Sequence, residues 1–304
     1  MRSSEIGSLG MNGSALETQR AVIVISSHVA RGSVGNRAAV FALETLGHPV
    51  WAVPTVVLPW HTGHGPSTRI VPDPDQFSAF IKDLEGAPWL GEVTAVLSGY
   101  LGNARQAVDV AALVQRVKAQ NPNALYVCDP VMGDVGGLYV PEATAIAMRD
   151  ILLPLADIAT PNRYELEWIA VEKLDDLRSI VAAALDLGPP RMLVTSAPGM
   201  MAGSIGNLLV TESEALLAEH RQISGPPSGM GDLTAAVFLA RLMAGQPDAK
   251  ALQTTTATVY EILARTAKRG GDELQLETDA RSLSHPMAMV QFRHLTHPGR
   301  DRRA

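Results

Sequence analysis

Val22-Ile23-Val24-Ile25 is an uninterrupted run of four β-branched apolar residues, and it constrains the fold more than any other feature of the chain. Branching at Cβ favours extended backbone, and a strand with no polar alternation is buried on both faces instead of one. That first strand, over 21–26, is followed by apolar runs of the same character at 50–56, 93–98, 125–129, 157–160 and 192–196. Helical patterns lie between and after them, at 37–46, 75–84, 104–119, 142–152, 165–170 and 176–187, each ended by Gly, Pro or Asn. Residues 203–210 and 216–223 read as an antiparallel pair, and 229–244 and 249–268 as the last two long helices. Alternation of this kind predicts an α/β fold: a central, mostly parallel sheet flanked by helices on both faces, with a late antiparallel edge.

No internal repeat or low-complexity segment divides the chain, so 21–295 reads as one domain. Residues 1–20 are small and polar and read as a loose extension, with Met11 a candidate start, and 296–304 form a short basic tail bearing Arg300, Arg302 and Arg303. At 304 residues and 46% hydrophobic, the core needs no covalent staples. A single cysteine, Cys128, excludes an intramolecular disulfide framework and a cysteine-built zinc site and fits a reducing compartment, with the cytoplasm the default. With 25 basic against 31 acidic residues and no long block of either sign, nucleic-acid binding is not expected. No apolar run reaches a membrane span; the nearest, 233–244, is short and interrupted by Arg241.

The sharpest local signal is Ser228-Gly229-Met230-Gly231-Asp232 running straight into a helical stretch. Glycines at a helix start leave N–H groups uncovered at the positive end of the dipole, a place for a phosphate. Asp232 in the first turn is then either a proton acceptor for an attacking hydroxyl or simply a favourable helix-start acid, the glycines being only a turn. Cys128-Asp129-Pro130-Val131-Met132-Gly133-Asp134 places two carboxylates after a parallel strand, where ligands and Mg²⁺ are met; the alternative is turn chemistry around Asp-Pro. Thr160-Pro161-Asn162 with Glu165 closes another strand, with Asn162 and Glu165 within reach of the same metal or serving only as a helix start. Ser26-Ser27-His28 with Gly32, Gly35 and Asn36 lacks the glycine spacing of a dinucleotide site and suits a small polar ligand. His61 and His64 have no further Cys or His nearby, so they read as ligand-contacting or exposed residues in preference to a metal pair. The long connections 58–74 and 132–141 are the loops expected to bind ligand.

Six pieces in order resemble the pyridoxal kinase branch of the ribokinase-like superfamily. They are Ser27-His28-Val29 with Gly32 and Gly35-Asn36; Thr55-Val56 with His61-Thr62 and Gly65; Ser98-Gly99-Tyr100-Leu101-Gly102; Cys128 to Gly133; Pro161-Asn162 with Glu165-Leu166; and Gly229-Met230-Gly231-Asp232. The resemblance implies ATP-dependent phosphorylation of the 5′-hydroxymethyl group of pyridoxal, and of pyridoxine or pyridoxamine, with Mg²⁺ and a monovalent cation (K⁺) as ions. It makes Asp232 the general base, with the amides of Gly229, Met230 and Gly231 on the transferred phosphoryl group. Asp129 and Glu165 would hold the metal beside Asn162, while Thr160, Thr195 and Ser196 would meet ATP. Ser27, Thr55 and His61 would contact the pyridine ring, with Cys128 either a reversible thiol partner for the aldehyde or a core thiol. Asp134 and Tyr139 would lie on the closing loop, and a homodimer is implied through 58–74. Met230 stands where many members carry Thr, and Pro54 where Asn is common in this branch. A kinase of another hydroxymethyl compound, the thiamin pyrimidine precursor, and a non-catalytic pyridoxal carrier or sensor are the alternatives.

Overall fold

The computed structural model describes residues 21–298, so the expectations for 1–20 and for Arg300, Arg302 and Arg303 lie outside the described residues. The apolar run at its start becomes β1 (Ala21–Val29), with Val22, Ile23, Val24 and Ile25 all fully buried. Then come α1 (Asn36–Thr45), β2 (Val50–Leu58), α2 (Pro74–Glu85), β3 (Val93–Ser98), α3 (Arg105–Gln120) and β4 (Leu125–Cys128). A small hairpin of β5 (Gly133–Asp134) and β6 (Gly137–Leu138) precedes α4 (Glu142–Ala147), β7 (Ile158–Ala159), α5 (Arg163–Ala170), α6 (Leu177–Asp186) and β8 (Arg191–Pro198). The chain continues through β9 (Ser204–Thr211), β10 (Ala215–Arg221), α7 (Met230–Met243), α8 (Asp248–Lys268), α9 (Ala280–Ser284) and β11 (Gln291–His294).

Nine strands form one sheet in the order β11-β10-β9-β8-β7-β4-β3-β1-β2. From β2 to β8 every neighbouring pair is parallel, and β9, β10 and β11 add on antiparallel, as the strand pattern predicts. Strand alternation divides the core. Ile23 and Ile25 pack with Phe77, Val114, Ile169 and Ile180 of α2, α3, α5 and α6, whereas Val22 and Val24 pack with Leu43, Phe238 and Ile262 of α1, α7 and α8. From β1 the chain goes to β2 on one side and then to β3 on the other, and such a switch point opens a crevice at the carboxyl ends of the strands.

Three expectations change. The helix expected over 142–152 is α-helical only to Ala147 and then loosens into a π-turn, Met148–Leu152, and a 3₁₀ turn, Leu153–Leu155. Pro154 is the physical reason, since it has no N–H and its ring crowds the carbonyl four residues back. The connection 132–141 contains a hairpin, β5 and β6, and the short, polar β11 and α9 carry no periodic signal at all. Pro54 falls in β2, the edge strand, where a missing N–H is tolerated. Among the described residues no helix is long and apolar enough to cross a membrane.

Candidate active site

A cleft of about 900 Å³ runs along the carboxyl ends of the parallel strands. At its centre the chain turns into α7. Gly229, with φ +95°, makes that turn, and a Cβ there would lie 2.0 Å from the carbonyl oxygen of Ser33, so only glycine lets the two loops touch. The first N–H groups of α7 have no partners within the helix and face the cleft at its positive end. Asp232 sits in that first turn. Enclosure by protein pushes its pKa up to about 6, against the opposing pull of its own N–H and that of Gly35.

Asp129 follows β4. Tyr126 and Cys128 point into the core on the α3 side, and the chain then delivers the Asp129 carboxylate, 5% exposed, to the cleft. Its Oδ1 accepts the Thr160 hydroxyl at 2.8 Å, while burial and the facing Asp232 push its pKa up to about 8. Glu165 and Asn162 form a capping box at the start of α5: Oε2 accepts the Asn162 N–H at 2.7 Å and Asn162 Oδ1 accepts the Glu165 N–H at 2.9 Å. The other Glu165 oxygen accepts the N–H of Met132 at 2.9 Å and of Gly133 at 3.4 Å, and Asn162 Nδ2 donates to the Gly133 carbonyl at 2.8 Å. The pair therefore fastens the base of the β5–β6 hairpin. Burial and Asp129 still hold the Glu165 carboxyl well above the usual range.

Among the described residues no Lys or Arg forms a salt bridge with Asp129, Glu165 or Asp232. Three hard oxygen donors with raised pKa values and no cation are a set that suits Mg²⁺. The described residues contain no ready cluster of three metal-ligating side chains, and both Glu165 oxygens are taken by backbone N–H groups. That donor set fits a hydrated ion bridged by water and ligand phosphates, the usual state of protein-bound Mg²⁺.

One end of the cleft is lined by Ser27, His61, Thr62, Arg69 and Tyr100. Burial lowers the His61 pKa, and Nδ1 of the neutral ring accepts the Gly63 N–H at 3.2 Å and lies 3.2 Å from the Ser228 hydroxyl. His64 turns away to Glu273, 2.6 Å from Nε2 to Oε1, so the two histidines do not form a metal pair. The other end holds Thr195, Ser196, Asn207, His220, Thr256 and Val259, and Asp134 and Tyr139 of the hairpin segment border the middle.

Two expected contacts are corrected. Thr55 is wholly buried and spends its hydroxyl on the Tyr100 carbonyl at 2.6 Å, while its own carbonyl accepts Gln106 Nε2 at 3.0 Å; it braces the loop after β3 and does not line the cleft. Cys128 is 1% exposed in the core beside Tyr126, and burial pushes its thiol up to about 12, which favours the core-thiol reading over the adduct. Thr62 and Tyr100 take places at the cleft that their motifs signalled without marking them individually. The α8 residues gave no signal, because a helix lining a cleft with Thr256 and Val259 has the same periodicity as one lining a core.

A family model described as phosphomethylpyrimidine kinase matches residues 76–276. A Rubrobacter xylanophilus protein named pyridoxal kinase PdxY is 40% identical over 284 residues, covering 90% of this chain and 97% of its own. One of the same name from Pseudomonas entomophila is 37% identical, with 90% and 97% covered. Among solved structures, a pyridoxal kinase from Leishmania donovani in complex with ADP and pyridoxine superposes with a TM-score of 0.85 at 28% identity, covering 92% of this chain and 100% of that one. That likeness covers nearly the whole chain, and the chain belongs to the pyridoxal kinase family, with the ribokinase-like fold.

Proposed function

We propose that this chain transfers the γ-phosphoryl group of ATP to the 5′-hydroxymethyl oxygen of pyridoxal, and of pyridoxine or pyridoxamine, giving the 5′-phosphate. The observation that carries the reading is Asp232 in the first turn of α7, facing the same cleft as Asp129 and Glu165. A carboxylate with a pKa of about 6 is ionised at neutral pH yet more basic than an ordinary one, which suits it to take the hydroxyl proton. The amides of Gly229, Met230 and Gly231 and the positive end of α7 face the charge that develops on the transferred group. Mg²⁺, when bound, offsets the charge of the phosphate oxygens. Asp129 and Glu165 would hold it together with the phosphates, partly through water, with Asn162 beside them. Ser27 and His61, joined by Thr62 and Tyr100, embrace the pyridine ring, and Thr160, Thr195 and Ser196 meet ATP. Asp134 and Tyr139, on the segment fastened by Glu165, close over the site and keep water from the phosphoanhydride. K⁺ as a second ion and a homodimer belong to the same reading and rest on the family resemblance, while a cytoplasmic location rests on the single cysteine, Cys128.

Phosphorylation of the three vitamers by the purified protein with Mg-ATP, beside an Asp232→Asn variant, tests it. The 5′-phosphate is expected from the wild type, and the variant should lose about 10²- to 10⁴-fold in kcat. Absence of phosphorylation in the wild type overturns the reading. The matching family model, described as phosphomethylpyrimidine kinase, favours a second substrate, the thiamin pyrimidine precursor, and adding that compound as a competitor separates the two.

A further inference from the structure

Glu273 lies between α8 and α9, outside all six motif segments, yet it sits beneath two of the loops that build the cleft. Its carboxylate is nearly buried, at 10% side-chain exposure, and buried charge is tolerated only when it is paired and hydrogen-bonded. Oε1 lies 2.6 Å from His64 Nε2, in the loop 58–74, and Oε2 accepts the N–H of Ser33, in the loop after β1, at 3.4 Å. Ser33 Oγ also donates to the Leu274 carbonyl at 2.8 Å. The approach is so close that a Cβ on Gly32, where φ is +108°, would fall 2.5 Å from Oε1.

Both loops lead from Glu273 to the start of the glycine turn. Through the first, the Ser33 carbonyl rests against Gly229, the contact that excludes any side chain there. Through the second, the turn Thr62–His64 carries the chain back to His61, whose Nδ1 lies 3.2 Å from the Ser228 hydroxyl. Neighbouring Asp272 touches neither cleft loop through His64 or Ser33: it pairs at 2.8 Å with Arg31 out in solvent, whose guanidinium also stands 3.9 Å from Glu273 Oε1, and such exposed pairs carry little energetic weight.

We propose that Glu273 is a positioning residue for the phosphoryl transfer. Through His64 it orders the segment bearing His61 and Thr62, and through Ser33 it sets that segment in register with Gly229. The proposal rests on the pyridoxal kinase reading for its substrate, and its test is built so that the two can fail separately.

Glu273→Gln, His64→Ala and the double variant are compared with wild type and with Asp272→Asn for KM of pyridoxal, KM of ATP, kcat and melting temperature. Each single change should raise KM for pyridoxal about tenfold while KM for ATP stays within about twofold. The double variant should be no worse than the worse single one, since both remove the same contact, and Asp272→Asn should behave as wild type. Hydrogen exchange should quicken in both variants at 58–74 and at 224–232, whatever the substrate turns out to be. His64 is partly exposed, so His64→Ala decides the matter if Glu273→Gln does not fold. An unchanged KM for pyridoxal, additive single effects, unchanged exchange at 224–232, or both KM values rising together with a fall in melting temperature would each overturn the role. If the wild type leaves pyridoxal unphosphorylated, the kinase reading fails while the exchange data still decide whether Glu273 joins the two loops.

Discussion

Glu219 and Glu261 are as deeply withdrawn from water as Asp129 and Glu165, at 1% and 6% exposure against 5% and 4%, but they keep different company. Glu219 receives Arg293 Nε at 2.7 Å, the Ser204 hydroxyl at 2.6 Å and the N–H groups of Met200 and Met201. Glu261 receives Arg265 Nη2 at 2.6 Å, the Ser282 hydroxyl at 2.9 Å and the N–H groups of Ala288 and Met287. Burial alone would raise both; these bonds together outweigh it and hold both carboxyls below the usual range. In the cleft the balance tips the other way, and Asp129 and Glu165 are raised. Glu219 and Glu261, which only brace the fold, are given their cations by the chain. The cleft acids are left without one, and in the proposed reaction the cation arrives with the nucleotide.

Asp129→Asn should sharpen this contrast most: Mg²⁺ affinity or Mg²⁺-supported activity should fall about 10- to 100-fold, read from a Mg²⁺ titration of the kinase assay. The metal-free variant should melt no lower than wild type, because an uncompensated acid has been removed. A variant that melts several degrees lower would show that Asp129 braces the fold as Glu219 does.

Glu219→Ala should do the reverse. It leaves Arg293 and two backbone N–H groups without their acceptor, while Ser204 keeps the Met201 carbonyl at 2.7 Å, and should cost about 2–4 kcal/mol in urea unfolding. The kcat of the folded fraction should stay within about twofold of wild type.

Stability should also move with pH in opposite directions at the two kinds of acid. Asp129 and Asp232 have folded pKa values of about 8 and about 6 against an ordinary 3.8, so each stabilises the fold below its unfolded pKa. That contribution is lost as pH rises through about 6 and about 8. Glu219 and Glu261, lowered from 4.5, contribute above that value and lose the contribution as pH falls through their folded pKa values. Melting curves of the metal-free protein should therefore show wild type losing ground to Asp129→Asn as the buffer moves from about pH 5 to about pH 8. The kcat should drop below about pH 6 as Asp232 takes up its proton.

Cys128→Ser carries the smallest expectation. With a thiol pushed up to about 12 and no place on the cleft wall, its replacement should leave the ratio of pyridoxal to pyridoxine affinity within about twofold of wild type by equilibrium binding.

The parallel strands were legible because burial on both faces demands an unbroken apolar run, and a strand with one face in water would break that run with polar residues at every second position. The turn into α7 was legible because two glycines and an acid at a helix start combine a backbone requirement with an electrostatic one. Thr55 misled because a hydroxyl near a strand end looks the same whether it meets a ligand or a backbone carbonyl. Glu273 left no local trace, since its partners lie 240 residues away at Ser33 and 209 away at His64.

Local pattern thus encodes the layers, the order of the main strands and helices as far as α8 and the chemistry offered at each strand end, all properties of residues within one turn or one strand of each other. Which of those groups share a cleft, which are raised and which lowered in pKa, and what holds the loops in register are settled in the folded chain alone. Those outcomes depend on distances and on exclusion of water between segments far apart in the chain, and no local pattern records either.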